Sequence, residues 1–294
     1  MTEGPLVSVC IPIWNDETYV GEALASVLNQ TYKNIEVIFS NNASDDRSVE
    51  IINSFNDPRV KVYSNEKNMG GMYNFTQVFT YATGKYMTYL SSDDKVEPDT
   101  YEKAVKILEA HPDVVLVNTY IELINAQGEH LMNKKYIFGG GRMRSYWGIR
   151  SNFIYGSNIV GEPNGSMWRR ENFEKLKEPK FVNGNGWTAD LDLKMELMLQ
   201  GDAWMIPETL GKFRVSANSN SASILKSSQA RLFRDYAMVI YRDKRYNLSF
   251  FWVIVGSISS FFLEYARKLF YKLFIKKTID KRQKHVSNDR LFKT

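Results

Sequence analysis

Two adjacent aspartates, Asp93 and Asp94, are the side chains of this sequence whose position most suggests chemistry. They follow the β-branched and aromatic run 86–90 and stand shortly before Pro98, so a predicted strand ends at them in a loop. Open α/β sheets build their ligand sites at the carboxyl ends of strands. Because Mg²⁺ and Mn²⁺ take carboxylate oxygens together with substrate phosphates, the pair predicts a divalent-metal site. An isolated Asp-Asp pair is also typical of a solvated turn, so the surrounding elements must decide between the two.

The elements predicted around the acid pair alternate between strands and helices. Apolar runs and helical periodicity predict strands at 7–13, 35–39, 60–63, 86–90, 114–120 and 166–168, and helices at about 18–29, 48–55, 73–83 and 100–110. This alternation predicts right-handed βαβ units, and hence an α/β fold with a mainly parallel sheet flanked by helices. Polar residues follow three of the strands, at 14–16, 41–46 and 93–94. Their convergence at one sheet edge favours a functional site over a solvated turn.

A further acid, Asp190, lies in the predicted first turn of the helix after the glycine-rich loop 183–187. Acids at this position often interact only with the helix dipole. A carboxylate is also a suitable general base when it lies within hydrogen-bond reach of a substrate hydroxyl. Asp190 is therefore a candidate base, whereas Asp192 is expected to pair locally.

The composition of the 294-residue chain, 44% apolar and 14% aromatic, predicts one large domain or a domain with appendages. The single cysteine, Cys10, lies in an apolar run, which excludes a disulfide framework and indicates a reducing compartment. His111, His130 and His285 are scattered without the spacing of metal ligands, so a zinc site is not expected.

The carboxyl-terminal part carries most of the positive charge. Residues 264–284 contain eight cations and two anions, which leaves the remainder of a chain of net charge +5 close to neutral. The fourteen residues 250–263 before them carry no charge and include four phenylalanines and a tryptophan. This run is shorter than a bilayer span needs, so it predicts a helix that lies in or dips into a membrane face through residues 250–284. The alternative is a buried helix that packs on the body of the protein.

These patterns divide the chain into an α/β domain, 1–225, and a helical, basic, membrane-associating region, 226–294. A near-neutral body with a basic tail favours an anionic surface as the partner and argues against nucleic acid. Residues 1–6 lack the features of a signal peptide, so the body is expected at the cytoplasmic face of the inner membrane.

Several motifs in order together resemble family 2 glycosyltransferases, the inverting enzymes of the GT-A fold, over about residues 7–221. The matching segments are Val7 to Asn15 as the opening strand, Leu28 to Ile38 leading into the second strand, Asn68-Met69-Gly70 with Asn74, and Tyr89 to Asp94 with Pro98. The resemblance implies transfer of a sugar from a nucleoside diphosphate sugar to a saccharide acceptor, with Mg²⁺ or Mn²⁺ as cofactor. Family habit and the basic tail together suggest a lipid-linked acceptor in bacterial surface polysaccharide assembly of the O-antigen or capsule type.

The resemblance also implies roles for individual residues. Asp94 would hold the metal, Asp93 would contact the ribose, and Asp190 would be the catalytic base. Asn42 stands where the family usually has an Asp that bonds the nucleobase. Glu162 and Trp187 are candidates for binding the acceptor, although both are as readily structural. The implied nucleotide-sugar-binding residues are Pro12, Trp14, Asn15, Asn42, Asn68, Gly70, Asp93 and Arg214.

The chain departs from the family pattern at five positions, and three of them, Asn41, Asn42 and Ser91, motivate an alternative. Asn41 and Asn42 replace two acids, and the remaining departures are Ser91 for Asp, Ala189 for Glu and Ser216 for His. The alternative is a non-catalytic glycan-binding protein on a decayed transferase scaffold. Its weakness is that a decayed enzyme has no reason to keep both Asp94 and Asp190. A nucleotidyltransferase would need a glycine-rich phosphate loop after the first strand, and residues 14–17 are not one.

Overall fold

The computed structural model describes residues 4–136, 139–176, 188–215 and 229–270. By contact density the chain divides into two compact units. The first comprises the residues up to Ser151 together with Asn158–Arg214, and the second comprises Asn152–Ser157 and the residues from Val215 onwards. The predicted domain boundary at 225 lies outside the described residues.

The first unit is built on a ten-stranded sheet of order β3-β2-β1-β4-β9-β6-β10-β5, with β7 on β6 and β8 on β10. The strands are β1 (Val7–Ile13), β2 (Ile35–Asn41), β3 (Val60–Ser64), β4 (Tyr86–Tyr89), β5 (Lys95–Val96), β6 (Val114–Asn125), β7 (His130–Lys134), β8 (Gly141–Met143), β9 (Ser166–Arg169) and β10 (Asp202–Val215). The strands β3, β2, β1 and β4 pair in parallel, and β9 then pairs antiparallel with both β4 and β6. The predicted α/β fold with a sheet flanked by helices is confirmed.

Helices flank the sheet, and the helix at 145–155 extends into the second unit. They are α1 (Val20–Leu28), α2 (Ser48–Ser54), α3 (Gly71–Thr80), α4 (Thr100–Ala110), α5 (Ser145–Tyr155), α6 (Arg170–Glu174) and α7 (Ala189–Met198). Alternate residues of β1, such as Val9 and Ile11, join Leu24 of α1 and Leu108 of α4 in one hydrophobic cluster. On the other face Phe79 of α3 packs edge-on against Trp168 of β9.

β1 is buried on both faces, as expected of a parallel strand between helices, so it appears in the sequence as a short apolar run that is easily predicted. The observed bounds of β1 and α4 equal the predicted ones, and those of β2, α2 and β3 differ by two residues or fewer. The segment after 134 has no comparable periodicity. It contains α5, whose exposed residues include Tyr146 and Trp147.

The second unit contains two long helices, α8 (Gln229–Arg242) and α9 (Phe250–Phe270). The Glu264 carboxylate of α9 accepts the backbone N–H of Ala230 at 2.8 Å, near the start of α8. A Cβ at Gly256 of α9 would stand 2.2 Å from the carbonyl oxygen of Phe153, so a glycine permits this close helix approach. Within the described ranges no helix combines the length and apolar character needed to cross a membrane.

Candidate active site

The acid pair lies in a turn at the carboxyl end of β4. Beyond Tyr89, the last residue of β4, the Leu90 N–H donates to the Cys10 carbonyl at 3.1 Å, and the Asp94 N–H donates back to Ser91 at 3.1 Å. Asp94 is buried, and its Oδ1 accepts the backbone N–H of Arg214 at 2.8 Å. Burial and the neighbouring Asp93 charge raise the pKa of Asp94 well above its ordinary value, and burial also raises that of Asp93. The site therefore concentrates negative charge that a bound cation would stabilise.

Arg214 stabilises this turn, residues 91–94, which we call the acid turn. Its guanidinium is buried, donates to the Asp93 carbonyl at 2.7 Å and to Glu22 at 2.9 Å, and lies 4.3 Å over the Tyr19 ring. It also donates to the carbonyl oxygens of Asn125 and Ala126. The resemblance implied a contact with the nucleotide sugar, whereas these bonds give Arg214 a positioning role for the acid turn.

Asp16 is a site residue that residue-by-residue sequence reasoning missed. It follows Asn15, whose φ of 51° is in the left-handed region that asparagine tolerates. Burial raises the pKa of Asp16 to about 6, a hydrogen bond from Ser92 opposes this, and the charges of Asp93 and Asp46 raise it further. Asp16 is thus a third carboxylate beside the acid pair. The available signal was the polar strand end at 14–16.

Paired bonds join the loop after β1 to the loop after β2. The Asn15 amide donates to Asp45 at 2.6 Å and accepts the Asp45 N–H at 3.0 Å, and the Asn15 N–H donates to Ser44 at 3.0 Å. Beside this junction Trp14 is 56% exposed, an aromatic face open to a ligand. Pro12 is half-buried on β1 beyond the last β4 pairing, at Cys10, so no bond to β4 is lost to its missing N–H. These bonds fix the corner beside Trp14, and binding of a base there stays a prediction.

Both the nitrogen and the oxygen of the Asn42 side-chain amide form hydrogen bonds within the protein. Its Nδ2 donates to Asn68 at 2.8 Å, and its Oδ1 accepts from Asn65 at 3.1 Å and from the Met69 N–H at 2.9 Å. Asn68 in turn accepts the N–H of Gly70, whose φ of 90° precedes α3. Pairing of Asn42 with a base would require exchange of these bonds, so its present role is to fix the loop 65–70.

The candidate base Asp190 lies in the first turn of α7, as predicted. Its Oδ2 accepts the Asn158 amide at 2.9 Å. Burial raises the pKa of Asp190, the charge of Lys194 lowers it, and the charge of Glu162 raises it. Glu162 pairs with Lys134 of β7.

The Tyr89 hydroxyl lies close enough to both the acid turn and the candidate base for their charges to affect its pKa. Burial raises its pKa, a hydrogen bond from Ser91 opposes this, and the charges of Asp94, Asp93 and Asp190 raise it further. Glu162 likewise raises the pKa of Asp94. The structure thus brings the acid turn, Glu162 and Asp190 within electrostatic reach of one another. Trp187 lies outside the described residues.

The donors of the acid turn fit a divalent cation. Hard carboxylate oxygens of Asp94 and Asp93, with Asp16 beside them, are the donor type that Mg²⁺ and Mn²⁺ bind, and each carries a pKa raised by burial. Within the described ranges, the acid turn included, no group of three or more His, Cys, Asp or Glu side chains is placed so that it could hold a metal ion without other ligands.

The comparisons with known proteins concern the family and the fold of the chain. The family model described as glycosyl transferase family 2 matches residues 8–177. A Haemophilus influenzae protein named an uncharacterized glycosyltransferase is 28% identical over 228 residues, 76% of this chain and 69% of its own length. Chondroitin synthase of Pasteurella multocida is 35% identical over 132 residues, 44% of this chain and 14% of that protein. The chain thus spans only a small part of some relatives.

Two solved structures share the fold. TarS residues 1–349 of S. aureus, in complex with UDP-GlcNAc, has a TM-score of 0.62 at 17% identity, over 80% of this chain and 66% of that one. The mannosyltransferase PcManGT of Pyrobaculum calidifontis, with GDP-Man and Mn²⁺, has a TM-score of 0.58 at 17% identity, over 90% and 76%. At this identity the likeness concerns the fold alone.

Proposed function

This chain belongs to glycosyl transferase family 2, and on that premise we propose that it moves a sugar from a nucleoside diphosphate sugar to a hydroxyl group of a saccharide, with inversion at the anomeric carbon. The observation that carries the proposal is the grouping of the acid turn and Asp190 around the Tyr89 hydroxyl, with Glu162 close enough to raise the pKa of both Asp94 and Asp190. The reaction requires carboxylates for the donor and for the acceptor at one site, and this grouping supports the proposal.

The donor is proposed to bind at the strand ends of β1, β2 and β4. Trp14 offers a ring face to the base at the corner that Pro12 and Asn15 complete, and the loop held by Asn42 and Asn68 borders it. Asp93 is proposed to bond the ribose. UDP-GlcNAc in TarS and GDP-Man in PcManGT, both nucleoside diphosphate sugars, support this class of donor.

Asp94, with Asp93 and Asp16 beside it, would hold Mg²⁺ or Mn²⁺. When bound, that ion supplies positive charge that stabilises the leaving nucleoside diphosphate. Arg214 fixes the turn through the Asp94 carboxylate and the Asp93 carbonyl, so the carboxylates are oriented before the donor arrives. The Mn²⁺ in the PcManGT complex supports this choice of ion.

Asp190 is proposed as the general base. The acceptor hydroxyl loses its proton to the Asp190 carboxylate while its oxygen forms a bond to the anomeric carbon. On the opposite face the bond from that carbon to the diphosphate oxygen breaks, and the electron pair leaves with the diphosphate. The Asn158 amide orients one Asp190 oxygen, at 2.9 Å. Glu162 is proposed to bind acceptor hydroxyls beside it, and Trp187 is proposed as a stacking partner.

The acceptor is proposed to be a lipid-linked saccharide reached at the cytoplasmic face of the inner membrane. Exposed apolar residues of α9 recur at helical spacing along one side; they are Phe250, Phe251, Ile254, Ile258, Phe261, Phe262, Tyr265 and Leu269. Such a stripe beside the cations of 267–284, of which 271–284 lie outside the described residues, suits an interfacial helix on anionic lipid. The names chondroitin synthase and hyaluronan synthase among the relatives support a surface polysaccharide as the product.

A non-catalytic glycan-binding protein is the second candidate. The replaced acids at 41 and 42 favour it, because both amides are now occupied within the protein. A panel of nucleoside diphosphate sugars, each incubated with Mn²⁺ or Mg²⁺ and assayed for release of free sugar, separates the two. Hydrolysis of one donor that is lost in Asp190→Asn supports the enzyme. Saturable binding with no turnover of any donor would support the binding protein.

A further inference from the structure

Lys194 of α7 is the most unusual ionisable side chain in the described part of the larger unit. It is 1% exposed, and buried lysines are rare unless they are paired. It follows Asp190 by one helical turn, so both side chains lie on the same face of α7. Its ammonium donates to the Gly161 carbonyl oxygen, directly before Glu162.

Charges of alternating sign surround this ammonium. Asp190 of α7 and Glu162 raise the pKa of Lys194, and Lys134 of β7 lowers it, while burial brings it to about 8. Lys134 is itself paired with Glu162. The charge order is therefore Asp190, Lys194, Glu162 and Lys134, with Asn158 as a neutral donor to Asp190, and with the Tyr89 and Tyr136 hydroxyls and Asp94, whose pKa Glu162 raises, as further titratable groups nearby.

We propose that Lys194 is a positioning residue for the transfer reaction: its buried positive charge keeps Asp190 ionised, and its bond to Gly161 holds the Glu162 turn beside that base. The proposal rests on the proposed function, because it assigns Lys194 a task only if Asp190 takes the acceptor proton. Lys194 has no exposed surface for substrate and does not take the proton itself.

The physical reason is the cost of ionising Asp190 in this surrounding. Burial and the negative charge of Glu162 both favour the protonated acid, which accepts no further proton and cannot act as a base. A positive charge one turn away offsets them. Without it, the two carboxylates would retain a proton to higher pH, and the base would be inactive at neutral pH.

Substitutions at position 194 separate this charge from the hydrogen bond. Lys194→Gln keeps a donor for the Gly161 carbonyl and loses the charge, whereas Lys194→Met loses both. Both remove one charge from a buried ionic group and leave its carboxylates in place, so both are expected to lower stability, and urea unfolding must first show that each variant is folded. Lys85→Met is the matched control, because Lys85 pairs with Glu109 and is 53% exposed.

The experiment measures the pH profile of kcat/KM for hydrolysis of UDP-GlcNAc or GDP-Man, with Mn²⁺, on the full chain. We expect the acid limb of both Lys194 variants to move to higher pH by about one unit, with activity at the acid end about ten-fold lower. Lys85→Met should retain the wild-type profile. Glu162→Gln in the Lys194→Gln background should move the limb back, because it removes a repelling charge.

An unshifted acid limb in Lys194→Gln overturns the inference, as does a shift in Lys194→Met alone, which would assign the effect to the hydrogen bond. If neither variant folds, or neither donor is turned over, a ¹³C NMR titration of the wild-type Lys194 side chain decides: a Lys194 that is charged at pH 7 agrees with the inference, and one that is already neutral there overturns it, because it supplies no positive charge to Asp190. Asp190→Asn distinguishes the two failures. Retained turnover there rejects the proposed base itself, whereas lost turnover with an unshifted Lys194 profile rejects the role of Lys194 alone.

Discussion

At the scale of single residues, Asp94 is the carboxylate on which the donor side depends. Asp94→Asn keeps an oxygen that can accept the Arg214 N–H, so the turn should persist while the negative charge is lost. Even changes to residues around a metal ligand weaken metal binding about 10- to 100-fold, and we expect at least that loss in Mn²⁺-dependent binding of UDP or GDP. Isothermal titration with and without chelator measures it.

The control for this variant is Asp99→Asn, an acid at the start of α4 whose side chain pairs with Lys103. Its nucleotide binding should equal that of the wild type. Nucleotide binding by Asp94→Asn that stays strong and insensitive to chelator would contradict the metal assignment.

The raised pKa of Asp16 makes the free energy of unfolding depend on pH. Its pKa of about 6 is above its ordinary value, so the folded protein binds more protons than the unfolded chain between about pH 4 and 6. Stability therefore falls as pH rises through that window, and at pH 7 the ionised carboxylate is a cost. Asp16→Asn should raise the free energy of unfolding at pH 7 by about 1–2 kcal/mol, with the gain vanishing near pH 4.

Urea unfolding at both pH values tests this, and Asp46→Asn is the matched control. At Asp46 hydrogen bonds from Ser48 and from backbone N–H groups outweigh burial and lower its pKa, so its substitution should destabilise the protein at pH 7. A lower free energy of unfolding for Asp16→Asn at pH 7 would contradict this prediction, because it would show that the hydrogen bonds of the Asp16 carboxylate outweigh the cost of burying its charge.

At the scale of elements, Asn74 of α3 ties the ends of β1 and β2 together. Its Oδ1 accepts the Ser40 hydroxyl at 2.7 Å, and its Nδ2 donates to the carbonyls of Ser40 at 2.9 Å and Ile13 at 3.3 Å. Asn74→Ala leaves these buried groups unpaired, so we expect a loss of about 2–3 kcal/mol in the free energy of unfolding. The exposed Asn53→Ala should change it by less than about 0.5 kcal/mol. Equal effects in urea unfolding would contradict this role.

The apolar stripe of α9 predicts membrane binding that can be removed without touching the core. Phe251, Phe261 and Phe262 are each at least 60% exposed, so the triple change to serine should leave the fold intact. Each buried phenylalanine contributes about 1.5–3 kcal/mol, and we expect sedimentation with vesicles of anionic lipid to weaken by at least about ten-fold.

A matched control for the stripe is the pair Phe55→Ser and Met132→Ser, two exposed apolar residues of the first unit. Their vesicle binding should remain at the wild-type level. If the triple variant sediments as the wild type does, lipid is not the occupant of the stripe.

At the scale of the whole molecule, the parallel half of the fold was predictable because a strand buried on both faces, such as β1, is a short apolar run, and the helix that follows it has an apolar face of regular period. Residues such as Val9 and Leu24 carry that signal in the sequence. The acid turn and Asp190 were predictable from strand ends and from the resemblance. The burial of Lys194 was not predictable, because a lysine four residues after an aspartate is typical of an exposed ion pair on a helix. Its contact with the Gly161 carbonyl, which comes from a distant part of the sequence, is visible only in the structure. The saturation of the Asn42 amide likewise depends on the loop 65–70.

The central claim is that Asp190 takes the acceptor proton while the acid turn holds the donor, and one comparison tests both halves. Asp190→Asn keeps the size of the side chain and an oxygen or amide for Asn158, so the donor site should remain formed. We predict Mn²⁺-dependent binding of the donor nucleotide within about two-fold of the wild type and a turnover reduced by at least about 100-fold. Turnover of Asp190→Asn at the wild-type rate would contradict the account.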